Sequence, residues 1–315
     1  MTVIAEITKP GLSTTIQDLG RPGKRHLGVP LSGAADFVSM ALANAAVGNP
    51  PHAAGLECTL NGPTIRFSHA AKFAIGGADM PSTLNGQPVS RYASVDANAG
   101  DELVLGAANA GARAYIAFAG GVGGDEFLGS RSTYVAAALG GCAGRALQRG
   151  DQLIGAGLAA GATRDIAKAL QPSFTHDFIL RVVAGPEALA LDAHELEIFF
   201  SAKWTLTRRA DRMGAELDGP KLNTGPPATM ASSPVFPGIV QLPPGGAPFL
   251  LLSDAQTVGG YPRIAQVIAA DLPLVGQVRP GDHVWFRKTT PDAARDIALK
   301  KSALYRDYIL GGFFR

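Results

Sequence analysis

The sequence predicts a mainly β protein made of two copies of one β unit, with a few short helices. Three observations carry this. The chain holds 39 glycines and 22 prolines in 315 residues, and average proteins carry only about 7% glycine. Its apolar runs are short and separated by turn signals, the pattern of sandwiches and barrels rather than of a parallel α/β sheet. Finally, two parts of the chain pass through similar segments in the same order.

The repeat is visible in the turn chemistry. Leu60-Asn61-Gly62-Pro63, after Gly55, matches Leu217-Asp218-Gly219-Pro220, after Gly214; Asn-Gly and Asp-Gly mark turns between strands. The apolar run at 113–118 matches Pro248-Phe249-Leu250-Leu251-Leu252, and each is followed by a glycine-bearing loop. Arg149-Gly150-Asp151-Gln152-Leu153-Ile154 then matches Pro280-Gly281-Asp282-His283-Val284-Trp285-Phe286. The surface-type stretch Ala159-Ala160-Gly161-Ala162-Thr163 suggests domains at 1–165 and 166–315.

Taken in order, residues 35–47 form a helix candidate. Residues 73–109 are extra to the first copy and hold a hairpin at Asn85-Gly86. Residues 187–200 carry apolar side chains at Leu189, Leu196, Phe199 and Phe200, a helical spacing. The segment 264–268 reads as a short helix or a strand. A last helix over 292–309 starts from Thr290 as N-cap, with Pro291 at the first helical position.

Composition narrows the function. Hydrophobic residues at 46% and charged residues at 17% describe a globular protein with a substantial core. A net charge of +2 without basic blocks argues against nucleic acid or an anionic membrane as partner. No run reaches the ~18 apolar residues of a membrane span, and residues 1–10 hold no signal core. Cys58 and Cys142 read as small buried side chains without a disulfide, which suits a reducing cytoplasm. The six histidines show no metal-ligand spacing, so no metal site is expected.

The densest chemistry lies in Ser253-Asp254-Ala255-Gln256-Thr257-Val258-Gly259-Gly260-Tyr261-Pro262. Polar groups wedged between apolar segments need partners or a function. Asp254 could act as base or orienter, Gln256 as an amide reader and Tyr261 as a donor. In Gly129-Ser130-Arg131-Ser132-Thr133, an arginine flanked by hydroxyls could hold a carboxylate or phosphate in two-pronged fashion. Ser32 or the Gly33 region could cap the first helix. Gly120-Gly121-Val122-Gly123-Gly124 lacks the Lys-Ser/Thr ending of a phosphate loop and reads as a turn. Gln17-Asp18-Leu19-Gly20-Arg21 could be a turn, and Arg208, Arg209, Asp211 and Arg212 a solvated edge.

Five segments in order resemble one family along nearly the whole chain. They are Gln17-Asp18-x-Gly20-Arg21, Gly28-Val29-Pro30-x-Ser32-Gly33-Ala34-x-Asp36, Gly129-Ser130-Arg131-Ser132-Thr133, Arg212-Met213-Gly214 and Asp254-x-Gln256-Thr257-x-Gly259-Gly260-Tyr261-Pro262. Together they are similar to the KipA / allophanate hydrolase subunit 2 family, which includes the C component of 5-oxoprolinase and part of the carboxyltransferase domain of urea carboxylase. The resemblance implies two cyclophilin-like β-barrel domains. It implies as partners a KipI-like protein (the B component of 5-oxoprolinase) and a LamB/YcsF-type protein (its A component), in a hydrolase that opens the lactam of 5-oxoproline to glutamate with ATP. ATP would be used through the complex. Catalytic residues would be Asp254, Gln256, Tyr261 and Arg131. Arg21, Ser32, Asp36, Ser130, Gly259 and Gly260 would bind substrate. A carboxyltransferase acting on urea or another amide, with biotin carried by another chain, is an alternative. A regulatory antagonist of a KipI-type kinase inhibitor is another. The chain departs from the family at Ala215 and Glu216, where an aromatic residue and an arginine often stand.

Overall fold

The computed structural model describes residues 2–223 and 230–309. It divides into two compact units. The first comprises residues 2–21, Ser32–Phe174 and residues 305–309; the second comprises Pro22–Leu31 and Thr175–Leu304. The division therefore falls nine residues beyond the expected 165, and one N-terminal segment belongs to the second unit. The shift has a local cause. Leu158, Gly161 and Arg164 donate backbone N–H bonds to the carbonyls of Gly120, Gly48 and Ala45, which ties this stretch to the first unit.

The first unit contains β1 (Val3–Lys9), β2 (Ser13–Gln17), β3 (Gly55–Thr59), β4 (Thr64–Phe67), β5 (Ala71–Asp79), β6 (Ser82–Leu84), β7 (Gln87–Pro88), β8 (Val95–Ala97), β9 (Glu102–Leu105), β10 (Ala110–Phe118) and β11 (Gln152–Ile154). They form two sheets, in the orders β11-β1-β4-β9-β6-β7 and β2-β3-β10-β5-β8. Ile7, Ile65, Phe67 and Leu103 from one sheet and Leu56, Ile75, Ile116 and Phe118 from the other share one core. The β6–β7 hairpin turns at Asn85 and Gly86, both at positive φ (50° and 79°), as an Asn-Gly turn requires.

Strand β10 is buried on both faces. Ala114, Ile116 and Phe118 enter the inter-sheet core, while Tyr115 packs with Met40 of α1 (Phe37–Ala46). The helix can lie close because β5 offers Gly76 there, where a Cβ would stand 2.7 Å from the Ser39 carbonyl oxygen. This explains why every residue of α1 is buried.

The second unit closes as a seven-stranded barrel. Its strands are β12 (Asp177–Ala184), β13 (Trp204–Ala210), β14 (Gly214–Asp218), β16 (Ile239–Gln241), β17 (Phe249–Leu251), β19 (Arg263–Val267) and β20 (His283–Lys288), in the order β12-β19-β16-β17-β14-β13-β20. A small ladder pairs β15 (Ser233–Pro234) with β18 (Val258–Gly259). The helices are α2 (Ala193–Ser201), α3 (Leu272–Val275) and α4 (Pro291–Leu304). Asp192 caps α2, and the Thr290 hydroxyl accepts from the Ala293 N–H at the start of α4. The ambiguous segment at 264–268 is strand β19. No described helix is long and apolar enough to cross a membrane.

The duplication has a structural counterpart in one run of neighbours. β2-β3-β10 in the first unit and β13-β14-β17 in the second are each antiparallel throughout. The last strands differ, since β11 pairs antiparallel with β1 while β20 pairs parallel with β12.

An ion pair fixes the entry to β19. Arg263 Nε and Nη2 donate to Glu187 at 2.8 and 2.6 Å, and this holds the Glu187 carboxyl below its usual range. A depressed carboxylate stabilises the fold above its unfolded pKa, about 4.3, and loses that contribution as pH falls through the folded value. Acid unfolding should show this, with Arg263→Met losing about 1 kcal/mol less than wild type between about pH 5 and 3.

Candidate functional site

In the second unit, the polar loop lies between β17 and β19 and is pinned at both ends. Asp254 is 3% exposed. Its backbone N–H donates to the Arg212 carbonyl (2.8 Å), and Arg212 returns two side-chain bonds, Nε to Oδ2 at 2.8 Å and Nη2 to Oδ1 at 3.2 Å. Arg212 therefore belongs to no solvated edge; its guanidinium neutralises a buried carboxylate, which would be very costly alone. Arg209 does fit the expected edge, pairing on the surface with Glu216 at 3.0 Å. Glu216 thus has a local partner.

The rest of the loop is clamped by Gln241, a buried residue at the end of β16. Its Oε1 accepts from Gln256 Nε2 at 3.4 Å, and its Nε2 donates to the Tyr261 carbonyl at 3.3 Å. Gly259 permits this, because a Cβ there would stand 2.7 Å from Gln241 Nε2. The Gly260 carbonyl accepts from the Met230 N–H. Arg25, in the segment Pro22–Leu31, donates to the carbonyls of Val235 and Gln256 and lies 5.1 Å over the Phe236 ring. Tyr261 is 42% exposed, so its ring faces solvent while its backbone is held.

In the first unit, Asp18 gathers the segment around Arg131. Its Oδ1 accepts from Ser130 Oγ (2.6 Å), Ser132 Oγ (2.5 Å) and the Gly20 N–H (2.8 Å). Its Oδ2 accepts from the Arg131 N–H at 2.7 Å. The two hydroxyls flanking Arg131 are therefore spent on a carboxylate of the protein. Arg21, 1% exposed, donates to the carbonyls of Phe127 and Ser132 and lies 5.8 Å over the Phe127 ring. It braces the same segment from below the surface. The Arg131 side chain is about one-third exposed, with Nη2 3.5 Å from Glu126 and with Nε lacking a hydrogen-bond partner.

Residues 32–36 lead into α1 through a buried network. Ser32 has φ 54° and a buried hydroxyl without a partner. Gly33 has φ 82°, and a Cβ there would stand 2.7 Å from the Gly20 nitrogen, so only glycine lets the two loops touch. Asp36, not Ser32, caps the helix, accepting from Ser39 N–H (3.0 Å) and Oγ (2.6 Å). The reason is position: Asp36 directly precedes the first helical residue. Glu57 Oε2 accepts from the Ala35 N–H and the Tyr115 hydroxyl, both at 2.9 Å. Burial, with Glu57 and Asp36 nearby, pushes the Tyr115 phenol well up, so it serves as a neutral donor.

The structure thus brings Arg21, Ser130 and Arg131 together around Asp18 in one unit, and Asp254, Gln256, Gly259, Gly260 and Tyr261 together around Gln241 and Arg212 in the other. Asp36 and Ser32 sit at the approach to α1. Sequence reasoning missed Asp18, Arg25, Arg212 and Gln241 as organisers. Gln241 had one legible signal, a lone amide inside the apolar run Ile239-Val240-Gln241-Leu242.

The glycine-rich loop at 120–124 does not fit a phosphate. The N–H groups of Gly120, Gly121, Val122 and Gly123 already donate to Asn49 Oδ1 and to the carbonyls of Phe118, Ala54 and Ile154. Cys58 is buried and Cys142 half-buried, and both are free. The described residues hold no group of three or more His, Cys, Asp or Glu placed to bind a metal.

The family model described as carboxyltransferase domain, subdomain A and B, matches residues 27–288. The chain is 35% identical over 289 residues to the C component of 5-oxoprolinase from Escherichia coli (strain K12), covering 89% of this chain and 90% of that protein. It is 35% identical over 304 residues to the same component from Haemophilus influenzae, covering 94% of each. The crystal structure of Kluyveromyces lactis urea carboxylase superposes with a TM-score of 0.92 at 30% identity, covering 99% of this chain. This chain spans only 30% of that one. Since the family model covers residues 27–288 and two relatives are 35% identical to most of the chain, the protein belongs to the family of the carboxyltransferase domain, subdomains A and B.

Proposed function

We propose that this chain is the C component of an ATP-dependent 5-oxoprolinase, working in the cytoplasm with a KipI-like B component and a LamB/YcsF-type A component. The observation that carries this reading is similarity. Two proteins named as the C component of 5-oxoprolinase are 35% identical to this chain over 90% and 94% of their own length.

The reaction is a lactam opening. Water adds to the ring carbonyl, the C–N bond breaks, the nitrogen takes a proton, and glutamate leaves. ATP hydrolysis drives this step, and the nucleotide is assigned to a partner chain because the glycine loop at 120–124 has spent its N–H groups internally. Arg131 is assigned to the substrate carboxylate, since its side chain is about one-third exposed and a planar fork suits two oxygens. Tyr261, with an exposed ring, is assigned to the developing oxyanion. Asp254 is a poor base while both of its oxygens accept from Arg212, so its part is to hold the loop that carries Gln256 and Tyr261.

Co-expression with the two partner components tests the reading. Glutamate formation and ATP hydrolysis that depend on 5-oxoproline support it; an assembled complex with neither overturns it. Glu126 competes for Arg131 in this scheme. Glu126→Gln should lower KM for 5-oxoproline about two- to fivefold, the size of a partly exposed ion pair, measured by steady-state kinetics.

The fit to urea carboxylase and the family description favour a second reading, one component of a biotin-dependent carboxyltransferase with biotin carried on another chain. Loss of activity on adding avidin separates it from the first.

A further inference from the structure

Asp18 is not among the residues assigned to catalysis or to substrate, yet several loops of the first unit converge on it. An ionised carboxylate is an acceptor only, with about four sites. Here four donors occupy it: Ser130 Oγ, Ser132 Oγ, the Gly20 N–H and the Arg131 N–H, at 2.5–2.8 Å. Its backbone is engaged as well. The Asp18 N–H donates to Ser132 Oγ at 3.1 Å, and its carbonyl accepts from the Ala34 N–H at 2.8 Å. Three stretches distant in sequence therefore meet on one residue: 18–20, 130–132 and the approach to α1.

Two consequences follow for Arg131. The backbone on either side of it is fixed, because residues 130, 131 and 132 each give a bond to the same carboxylate. The guanidinium itself is not fixed by that carboxylate. Its Nε is buried and without a partner, its one ion pair is a long contact to Glu126, and the side chain is about one-third exposed. The fork is thus held at its root and open at its tip, which is how a preorganised anion-binding arginine must be built.

We propose that Asp18 is the positioning residue for Arg131, setting where its guanidinium meets the substrate carboxylate; this rests on the 5-oxoprolinase reading given above. Asp18 does not touch substrate. Its hold on residues 130–132 fixes the backbone that carries the guanidinium, so less ordering is required when the carboxylate arrives.

Asp18→Asn tests this, because it puts an amide NH2 group against atoms that are already donors. Ser132→Ala is the milder partner, removing one bond to the carboxylate and one from the Asp18 N–H while leaving the carboxylate itself. The first measurement is amide hydrogen exchange on the whole chain. In Asp18→Asn, the Arg131 and Ser132 amides should exchange at least tenfold faster. The Thr133 amide, bonded to the Ile16 carbonyl at 2.9 Å, and the β10 amides should not change. Unchanged exchange at Arg131 and Ser132 overturns the proposal, and acceleration throughout the unit reduces Asp18 to a general structural residue and overturns it too.

The second measurement uses the assembled complex. KM for 5-oxoproline should rise at least tenfold in Asp18→Asn and two- to fourfold in Ser132→Ala, with KM for ATP and kcat within about twofold. Inhibition by 2-pyrrolidinone, which lacks the carboxylate, should be unaffected by either substitution. Equal losses toward 5-oxoproline and 2-pyrrolidinone overturn the proposal. A wild-type complex that fails to open 5-oxoproline overturns the functional reading and the substrate role of Arg131, and is told apart from failure at Asp18 by the exchange data.

Discussion

Replacing Arg131 with alanine should lower kcat/KM for 5-oxoproline about 100-fold in the assembled complex, almost all of it through KM. The size follows from the bonds removed. Two charge-assisted hydrogen bonds to a carboxylate contribute roughly 1.5–3 kcal/mol each before desolvation is subtracted, and a 100-fold loss corresponds to about 2.7 kcal/mol. The effect falls on KM because the carboxylate does not change during ring opening, so its binding is uniform between ground and transition states. Arg131→Lys should recover only about tenfold, since an ammonium keeps the charge but not the fork. The Asp18 bonds go to the Arg131 backbone and to the neighbouring hydroxyls, so alanine leaves the loop itself in place. Steady-state kinetics with 5-oxoproline check this; an unchanged KM removes Arg131 from the site.

Arg212→Met should destabilise the second unit by about 3–5 kcal/mol, the cost of leaving a buried carboxylate without its partner. Asp254 is 3% exposed, so water can do little to replace the lost partner. The double variant Arg212→Met/Asp254→Leu should regain at least half of the loss, because the penalty comes from the orphaned charge rather than from the missing attraction. Urea unfolding curves check both. Near-wild-type stability in the single variant would mean that Asp254 is solvated or neutral in the fold. The experiment also bears on function, since the pair anchors the loop that presents Gln256 and Tyr261.

Much of the architecture was legible because it depends on local chemistry. Thr290-Pro291 placed the start of α4, and Asn85-Gly86 placed the β6–β7 hairpin, within a few residues. These signals act over one turn and need no knowledge of the rest of the fold. The first helix was also visible, but its cap was not assigned to Asp36, since Ser32, Gly33 and Asp36 all offer plausible starts. The segment 264–268 could not be resolved between helix and strand, because a short apolar run carries no period. Its pairing with β12 and β16 settled it.

The site was legible in its residue types and not in its connections. Arg131, Asp254, Gln256 and Tyr261 stood out in the sequence as polar groups set among apolar segments. That Asp254 is taken by Arg212 was not readable, and the charge run at 208–212 pointed to solvent. The same holds for Ser130, whose hydroxyl looked free to assist Arg131 and is instead held by Asp18.

By itself, then, the sequence determined a mainly β chain, its repeated turn-marked units, its helix starts and the family motifs in their order. All of these follow from residues adjacent in sequence. Only the tertiary structure decided that the second unit closes into a barrel while the first forms two sheets, and which polar groups are spent and which remain open. The physical reason is separation along the chain. The Ser130–Asp18 bond spans 112 residues and the Arg212–Asp254 bond spans 42. Each exists only because packing brings its partners together and excludes the water that would otherwise satisfy them.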